Sequence, residues 1–186
     1  MGVMTAPPDI KLITGEELLA MGDIGPCELI DGRIIPMSPT GFEHGNIEVN
    51  LSLALKTFVQ QRRLGWVVSG EVGIYTRRHP DRVRGADIVF VSKERLSGPP
   101  EGFLEIAPDL IVEIISPTDR WSEMRRKLNE YFLIGVQQVW VVEPEDRAVL
   151  VYRSAADVRE LSENDTLVGE GMLGGFSLPV ADLFTE

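Results

Sequence analysis

Residues 107 to 117 read APDLIVEIISP, and the carboxylate at their centre, Glu113, constrains the fold more than any other residue. Leu110, Ile111, Val112, Ile114 and Ile115 are the side chains that fill a sheet covered on both faces. An ionised Glu in such a strand costs on the order of several kcal/mol unless a cation or a hydrogen-bond network answers it. The chain must therefore leave that end of the strand open or bring positive charge to Glu113.

Strand alternation says where to look. Glu113 shares a face with Ile111 and Ile115, while Leu110, Val112 and Ile114 take the other. In the strand candidate ADIVFVS, Asp87 shares a face with Val89 and Val91 and stands at the strand's start. If the two strands are neighbours, Asp87 and Glu113 converge at one end of the sheet. Two carboxylates with a backbone carbonyl are hard oxygen ligands suited to magnesium or manganese.

The helix expected after Ser116-Pro117 offers the positive group. Its wheel places Trp121, Met124, Leu128, Tyr131 and Phe132 on an apolar stripe, with Lys127 on the flank and Arg126 turned to solvent. Lys127 can bury its stem and send its ammonium toward the sheet. A lysine on such a flank ordinarily does no more than that, and a structural ion pair with Glu113 is a further alternative. Glu28, His44 and Glu48 complete the polar set, although a lone His on an apolar face is more often a packing residue.

The rest of the chain predicts the frame. Thr14 with Glu17 is a capping box for a short helix, and Asp31-Gly32 marks a two-residue hairpin. Ile47, Leu51, Leu55 and Phe58 give one apolar face to a helix over about 42 to 63. Strands are expected at GWVVSGEVGIYTRR, ADIVFVS, DLIVEIIS, VQQVWVVEP and AVLVYRS, with a helix from Ser116 to a Gly135 stop crossing between two of them. This order predicts an α/β (α+β) fold with a mixed sheet of five or six strands. Residues 1–13 are expected as a flexible leader and 14–186 as a single domain.

Charge limits the function. The chain carries a net charge of -11, which argues against broad electrostatic binding of nucleic acid. The distribution is uneven: residues 56 to 95 hold nine Lys/Arg against four acids, and the chain from Glu143 onward ten acids against three Arg. The middle of the chain could meet a polyanion that its tail repels. The single cysteine, Cys27, excludes an intrachain disulfide. No apolar run nears the ~18 residues of a membrane helix, and the N-terminus lacks a secretory pattern, so a cytoplasmic location and no membrane partner are expected.

The ordered set ELIDGRIIPMSP, a helix near His44, ADIVFV, LIVEIISPTDR, KLNEYFLIGVQQVWVVEP and VLVYR resembles the Uma family of putative restriction endonucleases. The resemblance spans about residue 14 to the FSLPVADLF tail. It implies a restriction-endonuclease-like fold of the PD-(D/E)XK superfamily, a mixed central sheet flanked by helices. It further implies a hydrolase: a magnesium- or manganese-dependent endonuclease acting on nucleic acid, expected to be DNA, with a homodimer suiting two-strand cleavage. By that resemblance Asp87 and Glu113 bind the metal. Lys127 looks like a displaced counterpart of the lysine usually found two residues after the acid, where Ile115 stands here. Ala86 stands where the family commonly has proline. Glu28 and His44 match further polar positions of the pattern. The competing expectation is a binding module, for nucleic acid or protein, that keeps the fold without catalysis.

Overall fold

A computed structural model describes residues 11–186, so most of the expected leader, residues 1–10, lies outside the described residues. The short helix α1 (Gly15–Ala20) opens with the expected capping box, Thr14 and Glu17 each bonding the other's backbone. The hairpin of β1 (Cys27–Ile30) and β2 (Arg33–Pro36) follows, turning on Asp31 and Gly32. Both turn residues have positive φ, 54° and 75°, as the tight turn matching strand twist requires.

The long helix α2 (Phe42–Arg62) leads into β3 (Gly65–Arg77) and β4 (Arg82–Ser92), which pair antiparallel along nearly their whole length. Next come β5 (Leu110–Ile114), helix α3 (Trp121–Ile134) and β6 (Gln138–Glu143). β5 and β6 are parallel, so α3 is the expected crossover. β7 (Ala148–Ser154) and β8 (Asp157–Leu161) extend the sheet, while β9 (Thr166–Val168) and β10 (Ser177–Pro179) form a separate ribbon.

The main sheet runs β2-β1-β4-β5-β6-β7-β8, with β3 added on β4. Eight strands replace the five or six expected, because the β1–β2 hairpin joins through the pair Leu29–Val83 and β8 continues beyond β7. Ile47, Leu51, Leu55 and Phe58 of α2 cover one face, against Ile88, Phe90, Leu110, Val112 and Ile114. Met124, Leu128 and Tyr131 of α3 cover the other, against Val89, Val91, Ile111, Val139 and Val141. The alternation of β5 thus divides as its sequence predicts, with Glu113 on the α3 side.

Helix α3 starts later than Ser116-Pro117 suggested. Asp119 Oδ2 accepts the Ser116 N–H at 2.8 Å and the Asp119 N–H returns to the Ser116 carbonyl, closing a separate turn before the helix. Its end is where expected, at Gly135 with φ 100°. No helix among the described residues is long and apolar enough to cross a membrane.

The β3–β4 ladder depends on one bare backbone. A Cβ on Gly65 would lie 2.1 Å from the Val91 carbonyl oxygen and 2.8 Å from Ser92 Cα, both main-chain atoms that cannot swing aside. Gly65→Ala is expected to cost about 1–3 kcal/mol, read from the urea midpoint at unchanged slope.

Candidate active site

The register of β4 on β5 pairs Ile88 with Val112 and Val89 with Ile111, so one step further Asp87 stands beside Glu113. Both residues are buried, and Asp87 lies in the middle of β4 rather than at its start as expected, because pairing with β3 carries the strand back to Arg82. Asp87 Oδ2 accepts the Ile114 N–H at 2.6 Å, which pins that oxygen to the strand carrying Glu113. His44 Nε2, from the first turn of α2, lies 3.4 Å from the same oxygen. Asp87 Oδ1 has no hydrogen-bond partner among the described residues.

Glu113 is answered from α3. Lys127 Nζ donates to Glu113 Oε2 at 3.0 Å, and the Tyr131 hydroxyl donates to Oε1 at 2.5 Å. These two residues are four apart and share one side of the helix. Lys127 also donates to the Gly85 carbonyl at 3.1 Å and lies 3.3 Å from Glu28 Oε1. Glu28, from β1, takes Arg84 Nη1 on its other oxygen at 2.7 Å. Arg84 in turn grips Glu130 of α3 with Nε and Nη2, at 2.7 and 2.9 Å. The structure therefore brings together five of the polar residues singled out in the sequence: Asp87, Glu113 and Lys127 at the centre, Glu28 behind the ammonium, and His44 on Asp87.

Three further residues join them. Tyr131 was legible only as part of an apolar stripe. Glu48 follows His44 by one turn, and its carboxyl is raised by burial and by the charge of Asp87. Glu71 gave no signal in the sequence, because its position comes from a bulge. Between Ser69 and Val72 the β3–β4 register shifts, and Gly70 and Glu71 take positive φ, 92° and 57°. Glu71 is exposed as a residue, but its carboxyl turns in over Gly85. There a Cβ would meet Glu71 Oε2 at 2.6 Å. Gly85 thus leaves room for one acid and offers its carbonyl to Lys127.

The electrostatics follow from crowding. Burial pushes the Glu113 carboxyl up to about 7; Lys127 pulls it down and Asp87 pushes it further up. Burial and the Asp87 charge also raise Glu71. Burial opposes the charge on Lys127, but Glu113 and Glu28 outweigh it and hold the ammonium protonated. The two directions are compatible: one ammonium gains from several carboxylates, while each carboxylate has only a share of it.

The arginines of residues 77 to 95 are largely consumed within the protein. Arg77 and Arg82 pair with Asp31, Arg78 with Glu16, Asp81 and Glu105, and Arg95 with Asp109. Of the nine cations of residues 56 to 95, five, counting Arg84, hold acids of the same chain. That local excess is mostly an internal lattice of ion pairs.

Residues 16–181 match the family model Uma2, described as putative restriction endonuclease. A crystal structure of a putative nuclease belonging to DUF820, from Anabaena variabilis ATCC 29413, is similar with a TM-score of 0.79 and 22% identity, over 92% of this chain and 97% of that one. Likeness at that identity shows the fold, which is the nuclease-like mixed sheet flanked by helices. No curated protein matches the chain.

Two outcomes test the geometry. Lys127→Met leaves Glu113 buried without its cation and is expected to cost about 3–5 kcal/mol. Lys127→Met with Glu113→Gln should cost clearly less than the sum of the single changes in a denaturant double-mutant cycle. Because the folded pKa of Glu113 lies above its unfolded value, its favourable contribution is complete below the unfolded pKa and is lost as pH rises through about 7. Wild-type stability, measured metal-free against Glu113→Gln, should therefore fall between about pH 4.5 and 7 and level off above.

Proposed function

The chain belongs to the Uma2 family of putative restriction endonucleases, and from that premise we propose that it is a divalent-metal-dependent endonuclease acting on DNA in the cytoplasm. The observation that carries this reading is the meeting of Asp87, Glu113 and Lys127 where the end of β5 lies beside the middle of β4.

The donor set fits magnesium or manganese. Asp87 has a hard oxygen without a partner among the described residues, and Glu113 keeps lone pairs beyond those taken by Lys127 and Tyr131. Burial and the nearby charge of Asp87 raise Glu48, Glu71 and Glu113 alike, the signature of carboxylates lacking enough positive charge. No three His, Cys, Asp or Glu among the described residues form a metal cage. That suits Mg²⁺, which binds through one or two carboxylates and retains water. Asp87 and Glu113 would hold the ion. When bound, such an ion polarises a phosphoryl oxygen and acidifies water.

The protein residues do the positioning. The Ile114 N–H and His44 fix Asp87 Oδ2, so that Oδ1 is the oxygen presented. Tyr131 and Lys127 hold the two oxygens of Glu113 in one orientation. The Lys127 ammonium, steadied by Gly85 and Glu28, is the local positive charge for the attacking oxygen or for charge developing on the phosphate. Glu28 and Arg84 form the layer behind it. A homodimer would bring two such sites to the two strands of a duplex.

One observation favours a second reading, a non-catalytic module. The Glu113 oxygens and the Lys127 ammonium are already satisfied by protein groups, as a structural network would be. Calorimetry with Mn²⁺ separates the two, together with nicking of supercoiled DNA. The enzyme reading expects one binding event lost in Asp87→Ala and Glu113→Ala, and nicking by wild type alone. Lys127→Ala should lower nicking by ~10²-fold or more. Absence of binding heat and of nicking in the folded wild type would leave the module. Because Glu113 must lose its proton to bind the ion, affinity should rise with pH from about 5 to 8, with proton release seen as a buffer-dependent heat.

A further inference from the structure

Trp121 does not go where its wheel position sends it. Helix α3 buries Met124, Leu128 and Tyr131, yet Trp121 remains 40% exposed. Phe42, the first residue of α2, is 94% exposed. Both line one cleft of about 360 Å³, within the range of small-molecule sites (~300–1,000 Å³). Its inner wall includes His44, which touches Asp87, and the segment Ile115–Pro117, which begins two residues beyond Glu113. The cleft therefore opens beside the acids of the candidate site.

The remaining lining specifies the chemistry. Glu43, Asp119, Glu143, Glu145 and Asp146 stand around the cleft, and no Lys or Arg lines it. A phosphate is repelled from such a space. A flat, uncharged ring can lie against Phe42 or Trp121, and carboxylates accept hydrogen bonds from exocyclic amino groups. Stacking on aromatic side chains combined with polar reading of the base edge is how unpaired bases are held.

We propose that this cleft receives an unstacked nucleobase that carries an exocyclic amino group, adenine and cytosine among them, in preference to thymine, adjoining the phosphate that the acids address. The inference rests on the nuclease reading and narrows it: the substrate is single-stranded or locally unpaired at the cleavage point. Phosphates stay outside the carboxylate rim while one base enters against Phe42 or Trp121. Selectivity comes from the amino group of adenine or cytosine, which thymine lacks.

Nucleoside titration in EDTA tests the cleft without requiring catalysis, and cleavage assays test its use. Adenosine and cytidine should quench tryptophan emission saturably, with thymidine weaker. Trp121→Phe should abolish most of that signal, and Phe42→Ala should weaken binding at least about fivefold, the low end of one lost stacking contact. Both positions are exposed, so unchanged circular dichroism and thermal midpoint establish that the variants fold. With Mg²⁺, single-stranded oligonucleotides should be cut faster than the matched duplex, an advantage lost in Phe42→Ala and Trp121→Ala. Saturable quenching without any cleavage would remove the nuclease reading and leave the base site. Cleavage that is indifferent to Phe42→Ala and Trp121→Ala would remove the base site and leave the nuclease. Quenching by N-acetyl-arginine amide in place of the nucleosides would assign the cleft to a cationic side chain of a protein partner and overturn the proposal.

Discussion

One ammonium group organises the centre of this protein. Lys127 Nζ sits among Glu113, Glu28 and the Gly85 carbonyl, and so ties together α3, β5, β1 and β4. Without it, a carboxylate in the middle of a covered sheet would keep only the Tyr131 hydroxyl as a side-chain partner, with no cation to offset its burial. With it, the strand end becomes a place where several acids can be held close together. Tyr131 adds a neutral donor to the same carboxylate, so Glu113 is fixed by one charged and one uncharged partner from successive turns of a single helix.

Around this centre the cations are spent in layers. Arg84 closes on Glu28 and Glu130, while Arg82 joins Glu130 to Asp31. The arginines that looked like a phosphate-facing stripe instead lock the hairpin, β4 and α3 to one another. Desolvated pairs of this kind contribute less net stability than their number suggests, but breaking one leaves a stranded charge, and that asymmetry enforces the arrangement. Burial, and with it the charge of Asp87, makes Glu48, Glu71 and Glu113 all resist ionisation.

What could be read from the sequence was whatever obeys a local period or a short-range rule. The Thr14 box, the Asp31-Gly32 turn, the α2 face and the Gly135 stop each depend on residues within a few positions. The convergence of Asp87 and Glu113 needed one added assumption, that their strands are neighbours, because alternation then fixes the faces. Three features escaped those rules. Glu71 is aimed by a bulge, whose register no pattern announces. Ser116-Pro117 carried a sound helix signal, but Asp119 captured the Ser116 N–H first. Tyr131 was correctly placed on the buried stripe, yet periodicity cannot tell a packing hydroxyl from one aimed at a carboxylate.

The acidity of the chain then has a consistent physical meaning. A protein at -11 that acts on a polyanion cannot rely on a broad positive field. On the proposed reading, attraction would be concentrated where a divalent ion and Lys127 act together, and weakened elsewhere. An acidic rim beside that point would do the second task, steering phosphates toward the ion and away from the cleft. The same rim can still admit an uncharged base, whose stacking energy is indifferent to the sign of the surrounding charge. Excess negative charge at the centre and around the cleft would therefore serve as a filter on how the chain of phosphates can lie, with specificity arising from where the substrate is not allowed to go.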